Sequence, residues 1–285
     1  MNLIGLPGWV RPHLFPDVKY KDLSKDTINS LKEQLRRFNS PDPEVSIVIP
    51  AWNEEDNIFR TLSSLAASTT RYRTEIVVVN NNSTDHTQAV LDALGVRNYF
   101  QPKQGTQYAR QLGLEKARGT YHLCADSDTF YPPDWIDLMV DPMIKNPEIT
   151  GVYGRYAFIP PTGQSRFSMA IYELFANIAA NVRKRKREYL NVFGFNMGFV
   201  TNVGRTTGGF NPRGGKVYTE SSGSDFMNEA EDGRMALNLC TAGRLQRVTH
   251  TQAIVFTSTR RLLHDGSIGK AFYNRSIRQL KEFLK

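Results

Sequence analysis

The sequence predicts an α/β fold in which a mostly parallel, Rossmann-like sheet is flanked by helices and followed by a second half of mixed α+β structure. Short β-branched runs alternate with helical segments from residue 45 to residue 125, as is typical of a parallel sheet. Residues that favour helix ends lie at the boundaries of the helical segments. Beyond Asp128 the alternation stops. With 285 residues and 40% hydrophobic side chains, the chain is large enough to bury one or two cores.

An N-terminal extension, residues 1–43, is predicted to precede this sheet. It carries one amphipathic helix, because Ile28, Leu31, Leu35 and Phe38 recur at helical spacing. The proline-containing break "NSPDP" ends that helix.

The first half of the predicted sheet has four strands and three helices. The strands are "VSIVIP", "EIVVV", "YFQ" and "TYHLCA", and the helices lie in "NEEDNIFRTLSSLAAS", "STDHTQAVLDALG" and "GTQYARQLGLEKARG". Asn53 is expected to cap the first helix, and Gly95 and Gly119 to close the second and third. These end signals agree with the alternation of apolar residues.

The second half of the chain does not continue the alternation of strands and helices. "GVYGRYAFIP" alternates like a strand, "FSMAIYELFANIAANV" is helical, and a further helix is expected from about Glu229 to Gly243. The stretch "RVTHTQAIVFTS" is extended. The Gly- and Ser-rich stretch 208–228 is interpreted either as a loop that orders over bound ligands or as a simple insertion.

Composition limits the partners and the compartment. The formal charge of +8 and the pI near 9.4 favour anionic partners. The basic residues are scattered and no nucleic-acid-binding module is recognisable, so we expect no nucleic acid partner. No stretch reaches the roughly 18 uncharged apolar residues of a membrane span, and the opening segment makes a poor signal peptide, so a cytoplasmic protein is expected. Cys124 and Cys240 are both expected to be buried, without a disulfide or zinc framework.

Polar side chains follow three of the predicted strands. They are Asn53 and Glu54 after the first strand, residues 80–83 after the second, and Asp126 and Asp128 after the fourth. Taken singly, each group is explained by ordinary turn and cap residues. Together they predict a ligand site, because ligands of open parallel sheets bind beyond the carboxyl ends of the strands.

Asp126 and Asp128 indicate a metal site. Two carboxylates held close together repel unless a positive charge lies between them. Carboxylate oxygens with few other protein ligands suit Mn²⁺ or Mg²⁺, whose coordination is completed by water and substrate phosphates, so the substrate is expected to carry a diphosphate. Arg110 is interpreted either as a contact to those phosphates or as a surface arginine.

Five stretches occur in a fixed order: "VSIVIPAWNEEDNI", "VVVNNNSTDHT", "GTQYARQLGLEKARG", "ADSD" and "AEDGRMALNL". As an ordered set they resemble the GT-A nucleotide-sugar glycosyltransferases of family 2, over most of the chain from about Val45 to Arg261. The stretches resemble that family's nucleotide-contacting loop, its base-reading turn, its arginine-bearing helix, its Asp-X-Asp metal motif and its late Glu-Asp motif. The resemblance implies a GT-A catalytic domain over 44–285, with a nucleotide-sugar-binding half at 44–130 and an acceptor-binding half at 131–285.

The resemblance also implies how the donor is held. Pro50, Asn53 and Glu54 are expected to hold the nucleoside, with Asn80 and Asn81 beside the base. The family usually has at least one aspartate where this chain has Asn80 and Asn81, and an asparagine both accepts and donates, so the preferred base is open. A uridine diphosphate sugar is the first expectation, with guanosine and thymidine as alternatives.

Further roles follow from the same resemblance. Asp128 is expected to bind the metal, Asp126 to lie near the ribose or the metal, and Arg110 to support the nucleotide. Asp232 is expected to be the general base, with Glu231 as the second candidate, although acidic residues are also favoured in the first turn of any helix.

The implied activity is that of an inverting hexosyltransferase. It would move a sugar from a nucleoside-diphosphate sugar to a hydroxyl of a glycan or a lipid-linked glycan, as in polysaccharide biosynthesis, by a metal-assisted single displacement. A non-catalytic sugar-nucleotide-binding protein is one alternative. A sugar-phosphate nucleotidyltransferase is another, although "PAWNEEDN" lacks the glycine-rich loop of that class. An oxidoreductase is disfavoured because no G-x-G-x-x-G opens a helix.

Two features allow two interpretations each. The helix at 167–182 and the basic run "RKRKR" at 183–187 fit peripheral contact with the inner face of an anionic membrane, or simply a solvated surface. Arg260 and Arg261 follow the last predicted strand, where they are interpreted as contacts to a diphosphate or an acidic acceptor, or as a surface pair.

Overall fold

A computed structural model describes residues 5–161, 166–183, 187–210 and 231–260. Its central sheet has seven strands. In spatial order they are β3 (Arg97–Phe100), β2 (Thr74–Asn80), β1 (Val45–Ala51), β4 (Tyr121–Cys124), β8 (Met197–Val200), β6 (Ile149–Tyr153) and β9 (Arg244–Arg247). A smaller sheet places β10 (Val255–Ser258) between β5 (Thr129–Phe130) and β7 (Tyr156–Ile159).

The central sheet is mostly parallel, as predicted. β1 pairs in parallel with β2 and β4, β2 with β3, and β6 with β9. Only β8 reverses direction, since it lies antiparallel to both β4 and β6. The carboxyl ends of β1, β2 and β4 therefore lie side by side at one edge, where ligands of parallel sheets bind.

Eight helices accompany the sheets in the described ranges. They are α1 (Lys25–Leu35), α2 (Ile58–Ala66), α3 (Thr87–Leu94), α4 (Thr106–Lys116), α5 (Trp135–Lys145), α6 (Phe167–Arg183), α7 (Thr201–Thr206) and α8 (Glu231–Cys240). None of these helices has the length and apolar character needed to cross a bilayer.

Hydrophobic side chains cover both faces of the central sheet. One face of β1, β2 and β4 packs against α2, α3 and α5, and the helix of the N-terminal extension joins this layer through Leu31 and Leu35. The other face packs against α4 and α8 in two smaller clusters. A sheet buried on both faces explains why β1 and β2 consist of nearly continuous apolar runs.

Three local expectations need correction. Asn53 does not cap the first helix, because α2 begins only at Ile58 and Asn53 has a φ of 53° in the preceding loop.

The two glycines that were expected to end helices differ in their outcome. Gly95 ends α3 with a φ of 65°, as predicted, but Gly119 ends no helix. A Cβ on Gly119 would lie 2.7 Å from the backbone nitrogen of Ser46, so this glycine is required for close approach to β1. Cys240 is exposed, whereas Cys124 is buried as expected.

A buried charge cluster secures the sheet at the end opposite the candidate site. Glu75 of β2 is fully buried and accepts hydrogen bonds from the hydroxyl of Ser46 (2.7 Å) and from the backbone (2.7 Å) and Nε (2.9 Å) of Arg118. Arg97 also pairs with this carboxylate. Burial alone would raise the pKa of Glu75, but the Ser46 and Arg118 hydrogen bonds and the Arg97 charge outweigh it and lower the pKa.

We expect Glu75→Gln to lower the free energy of unfolding by about 3–5 kcal/mol, because it leaves two arginines beside a buried neutral group. Since the folded-state pKa of Glu75 is lowered, its contribution is present above the unfolded-state pKa and is lost as the pH falls through the folded-state value. Urea unfolding of both proteins at neutral and acidic pH measures this. The matched control is Glu33→Gln, which removes an exposed pair with Arg36 and should change little. A Glu75 variant as stable as that control would contradict the interpretation.

Candidate active site

The loops after β1 and β2 are joined to each other at the predicted edge. The backbone nitrogen of Asn53 donates to the Ser83 hydroxyl (3.0 Å), and the side-chain oxygen of Asn53 accepts from the backbone of Thr84 (2.8 Å). The backbone of Glu54 donates to the Thr87 hydroxyl at the start of α3 (2.8 Å). Two of the three predicted polar groups thus form one surface, next to the half-buried Pro50 of β1.

Asn80 and Asn81 are buried, and both side chains are engaged within the protein. Asn80 donates to Gln88 (2.8 Å) and accepts from the backbone of Ser83 (3.1 Å), which shapes the turn after β2. Asn81 donates to the carbonyl of Lys103 (2.8 Å) and accepts from the backbone of Gly105 (2.8 Å). Both asparagines therefore hold loops in place at the edge, and direct contact of their amides with a base stays a prediction.

Arg110 of α4 is buried against the end of β4. Its side chain is only 4% exposed, and Nη2 donates to Oδ1 of Asp126 at 2.6 Å. Nε lies 3.7 Å from a carboxylate oxygen of Glu231, at the start of α8. Of the two interpretations of Arg110, the surface arginine is therefore wrong.

Asp232 lies beside Arg110 and is held by two backbone amides. Gly194 donates to Oδ2 (2.9 Å) and Gly233 to Oδ1 (2.8 Å). Gly194 has no room for a side chain, since a Cβ there would lie 2.4 Å from Nη2 of Arg110. Because Gly194 has no side chain, the backbone can pass close to the guanidinium of Arg110 while its N–H donates to the carboxylate of Asp232.

The two acidic residues of α8, Glu231 and Asp232, both have raised pKa values. Burial raises the pKa of Asp232, and the hydrogen bonds from Gly194 and Gly233 and the charge of Arg110 oppose this only in part. Burial and the neighbouring Asp232 charge raise the pKa of Glu231. Burial alone would lower the pKa of Arg110, but the surrounding carboxylates, Asp126 foremost, raise it, so the guanidinium stays charged. A carboxylate with a raised pKa is suited to accept a proton near neutral pH.

Arg260 links the third polar group to the first. Its Nη2 donates to Oε1 of Glu54 (2.5 Å) and to Oδ2 of Asp128 (2.9 Å), and both carboxylates are mostly buried. Burial raises the pKa of Glu54, which the charge of Arg260 lowers and that of Asp128 raises. A guanidinium therefore bridges Glu54 and Asp128, whereas the sequence predicts a metal ion between Asp126 and Asp128.

The structure thus brings the predicted site residues together in two groups. One contains Asp126, Arg110, Glu231 and Asp232, and the other contains Glu54, Asp128 and Arg260. Arg261 and most of the glycine-rich stretch lie outside the described residues. Within those residues, no three acidic, histidine or cysteine side chains gather into a complete metal site.

Two participants were missed in the sequence. Gly194 has no signal in "FGFNMG", because its role depends on the arrival of α4 and α8 from distant parts of the chain. Tyr131 is fully buried, and its hydroxyl accepts from the backbone of Asp126 (2.8 Å) and donates to the carbonyl of Phe195 (3.0 Å). Tyr131 follows the "ADSD" motif closely in the sequence, and this nearness could have predicted that its side chain supports the turn after β4.

Known structures share this fold. The mannosyltransferase PcManGT from Pyrobaculum calidifontis, solved with GDP-Man and Mn²⁺, matches with a TM-score of 0.57 and 16% identity over 95% of this chain and 75% of that one. Staphylococcus aureus TarS residues 1–349, solved with UDP, match with a TM-score of 0.54 and 16% identity over 75% of this chain and 60% of that one. The predicted GT-A fold is confirmed by these matches.

Sequence relatives cover part of the chain. An uncharacterized glycosyltransferase of Haemophilus influenzae is 30% identical over 41% of this chain and 48% of its own length. The glucosyl-dolichyl phosphate glucuronosyltransferase of Haloferax volcanii is 26% identical over 61% of this chain and 58% of its own length. The chain therefore spans about half the length of these relatives.

The family model "Glycosyl transferase family 2" matches residues 46–204, which is more than half of the chain and includes the ends of β1, β2 and β4 together with Arg110 and Gly194. The chain belongs to glycosyl transferase family 2.

Proposed function

We propose that the protein transfers a sugar from a nucleoside-diphosphate sugar to a hydroxyl group of a glycan or a lipid-linked glycan, with inversion at the anomeric carbon. The observation that carries the proposal is the buried Arg110, which joins Asp126 at the end of β4 to the acidic pair at the start of α8. Family membership and structural neighbours solved with UDP or with GDP-Man support it.

The donor is proposed to lie across the ends of β1, β2 and β4. Pro50, Asn53 and Glu54 would contact the nucleoside, with Asn80 and Asn81 placing the loops around the base. A uridine diphosphate sugar is the first candidate. Arg110 and Asp126 would orient the nucleotide from the other side, since a buried guanidinium with a fixed carboxylate partner keeps its position.

A divalent ion fits the residues at the end of β4. Asp126 and Asp128 supply hard oxygen donors two residues apart, and Arg260 already places a positive group against Asp128. Asp128, with Asp126, would hold Mn²⁺ or Mg²⁺, in keeping with the Mn²⁺ in the structure of the Pyrobaculum mannosyltransferase. Such an ion supplies Lewis-acid stabilisation to the departing diphosphate.

Asp232 is proposed to be the general base, with Glu231 as the second candidate. The acceptor hydroxyl attacks the anomeric carbon while its proton moves to the Asp232 carboxylate, and the bond from that carbon to the diphosphate oxygen breaks. The raised pKa of Asp232 favours proton uptake at this step. The amides of Gly194 and Gly233 keep the carboxylate oriented.

We expect Asp232→Asn to lower kcat by about 10²- to 10⁴-fold, the usual contribution of a general base, while the affinity for UDP changes little. In the wild-type protein, kcat should rise with pH through the raised pKa of Asp232, because only the ionised carboxylate accepts a proton. Initial rates from pH 4 to 9 with UDP-sugars and a glycan acceptor measure both effects.

Asp128→Asn is the comparison variant, since it should lose both activity and the response to Mn²⁺. Wild-type turnover in Asp232→Asn would remove this residue from the role of base. A non-catalytic sugar-nucleotide-binding protein would release no UDP from any donor, with or without acceptor. A nucleotidyltransferase would instead consume a nucleoside triphosphate and a sugar phosphate.

Arg260 is proposed to compete with the metal. Its guanidinium pairs with Asp128 and Glu54. A divalent ion held by Asp128 would weaken that pairing, and Arg260 would then be able to donate to the diphosphate of the donor. Arg261 would assist from the next position in the sequence.

We expect Arg260→Ala to bind Mn²⁺ more tightly in the absence of nucleotide, by about 3- to 10-fold, because the ion no longer displaces an ion-paired side chain. The same variant should bind UDP more weakly in the presence of Mn²⁺. Electron paramagnetic resonance titration of free Mn²⁺ measures the first effect without any turnover. Arg71→Ala, which removes a surface arginine paired with Asp137 and Asp141, is the matched control. Equal or weaker Mn²⁺ binding in Arg260→Ala would refute the competition.

Peripheral contact with an anionic membrane is proposed through α6. Its outward face exposes large apolar side chains, among them Ile171 (43%), Leu174 (58%) and Ile178 (52%). The sequence places five basic residues in a row at 183–187, starting with the last residue of this helix. An apolar helical face beside a basic run matches the interface of an anionic lipid surface.

We expect the double substitution Leu174→Ser, Ile178→Ser to reduce co-sedimentation with phosphatidylglycerol-rich vesicles by about 10-fold, as the loss of two interfacial apolar contacts predicts. Ile144→Ser, which alters an exposed apolar residue of α5, should bind like the wild type. Wild-type protein that stays in the supernatant at low salt would exclude the membrane contact.

A further inference from the structure

A segment of the N-terminal extension, residues 6–20, lies across the small sheet and α2, and we call it the strap. Its apolar side chains, among them Trp9 and Val10, pack against β5, β7 and β10 in one cluster. Val10 is fully buried, and the ring of Trp9 meets the ring of Phe256 edge-on, with 5.7 Å between the centroids. The strap is therefore packed onto the small sheet.

The small sheet depends on cover from both sides. β5 has two residues, and β7 and β10 have four each. Sheets of such short strands are stable only when their faces pack against other elements. In β7, Phe158 packs against α6, whereas Ala157 and Ile159 join the cluster of the strap. In the part of the chain that the structure describes, the strap thus supplies the apolar cover of one face.

The small sheet carries two members of the candidate site. Asp128 directly precedes β5, and Arg260 follows the last residue of β10, Ser258, by two positions. The backbone of Ser258 donates to the carbonyl of Asp128 (3.1 Å), and the hydroxyl of Thr129 donates to that of Thr257 (2.9 Å). The pairing of β5 with β10 therefore sets how Asp128 and Arg260 lie relative to each other.

The strap is also bonded to α2. Arg60 of that helix donates to the carbonyls of Leu14 and Val18, the second at 2.6 Å. Nδ1 of His13 lies 2.9 Å from the hydroxyl of Ser63, within hydrogen-bond distance. The strap thus joins α2 to the small sheet.

Helix α2 in turn holds the loop that carries Asp128. The hydroxyl of Thr61 donates to the carbonyl of Ser127 (2.8 Å), and the hydroxyl of Ser64 accepts from the backbone of Tyr131 (3.1 Å). These two contacts lie on either side of Asp128 in the sequence. A shift of α2 relative to the small sheet would therefore move this carboxylate.

The strap follows an unusual backbone path over α2. Phe15 has a φ of 42° and Asp17 a φ of 59°. Positive φ is unfavourable for residues other than glycine and persists only where the surroundings hold it in place. The ring of Phe15 meets that of Phe59 edge-on at 5.3 Å, and the backbone of Tyr20 donates to Oδ1 of Asp56 (3.0 Å). The position of the strap on α2 is therefore specific.

We propose that the strap positions the backbone that carries Asp128 and Arg260, and so determines how strongly a divalent ion improves binding of the donor diphosphate. The inference rests on the proposed function, since it assigns a positioning role at that function's metal and diphosphate site. If the strap loosens, β5 and β10 shift on α2, and the two side chains no longer meet the ion and the diphosphate together. The loops after β1 and β2, which are proposed to hold the nucleoside, are joined by their own hydrogen bonds.

Trp9→Ala tests the proposal on the full chain. Calorimetric titration with UDP, with and without Mn²⁺, gives the factor by which the ion raises the affinity for UDP. We expect this factor to fall by about 3- to 30-fold, on the scale of couplings carried through packed side chains. The affinity for UDP without the ion should stay like that of the wild type.

Leu31→Ala is the matched control for Trp9→Ala. It also removes an apolar side chain of the N-terminal extension, but Leu31 is buried in α1 against the main cluster of the central sheet. It should lower the free energy of unfolding and keep the full effect of Mn²⁺ on UDP binding. This control separates a positioning role of the strap from a general loss of stability.

Arg60→Gln loosens the strap in a second way, because it removes the bonds from α2 to the strap carbonyls. We expect the same factor to fall. Its control, Arg37→Gln, removes hydrogen bonds to backbone carbonyls at the other end of α2. An unchanged factor in either strap variant, or an equal loss in its control, would overturn the proposal. Circular dichroism identifies a variant that fails to fold, and the other strap variant then decides.

Hydrogen exchange followed by mass spectrometry separates failure of the strap from failure of the metal site. Peptides that cover residues 125–131 and 253–260 should exchange faster in Trp9→Ala, because the bond from Ser258 to Asp128 opens more often. A wild-type protein whose affinity for UDP does not respond to Mn²⁺ would contradict the proposed metal site, and faster exchange would then still support the strap. Unchanged exchange in Trp9→Ala would overturn it in either case.

Discussion

A single buried cation, Arg110, holds the candidate site together. Its guanidinium contacts Asp126 directly and lies close to Glu231, while Asp232 is near enough to affect its pKa. Removing so many charges from water is unfavourable unless they compensate one another, so none of these side chains is free to move independently. The end of β4 and the start of α8, more than 100 residues apart in the chain, are thereby fixed relative to each other.

This constraint explains how one edge of the sheet would serve the two proposed substrates. The parallel strands place the donor-side residues through ordinary sheet geometry, with Asn53 and Ser83 joining neighbouring loops. The carboxylates at the start of α8 have no such register. They are positioned instead by the charge of Arg110 and by the backbone N–H of Gly194, which donates to Asp232. The second cation, Arg260, is far more exposed, which fits a side chain that changes partners rather than one that fixes the frame.

Much of the donor side was predictable from the sequence, because it depends on local patterns. The alternation of strands and helices gave the parallel order, and polar residues directly after β1, β2 and β4 gave the edge. The burial of Arg110 was left open, since spacing along α4 does not reveal what packs against that helix. Asn53 was misplaced as a helix cap because its side chain bonds to Thr84, in a loop about 30 residues away. The nearness of Arg155 to Arg247 was missed, since no local pattern connects the turn before β7 with the end of β9.

The two faces of α6 have different surroundings. Helix α6 turns Glu173 and Asn177 toward the sheet, while Leu174 and Ile178 face outward. If a lipid surface covers the outward face, the inward face of α6 lies one helix thickness, roughly 10 Å, from that surface. Phe193, which lies near that inward face, is followed by Gly194, whose backbone N–H donates to Asp232. An acceptor anchored in the surface would therefore have only a short distance to span to the proposed base.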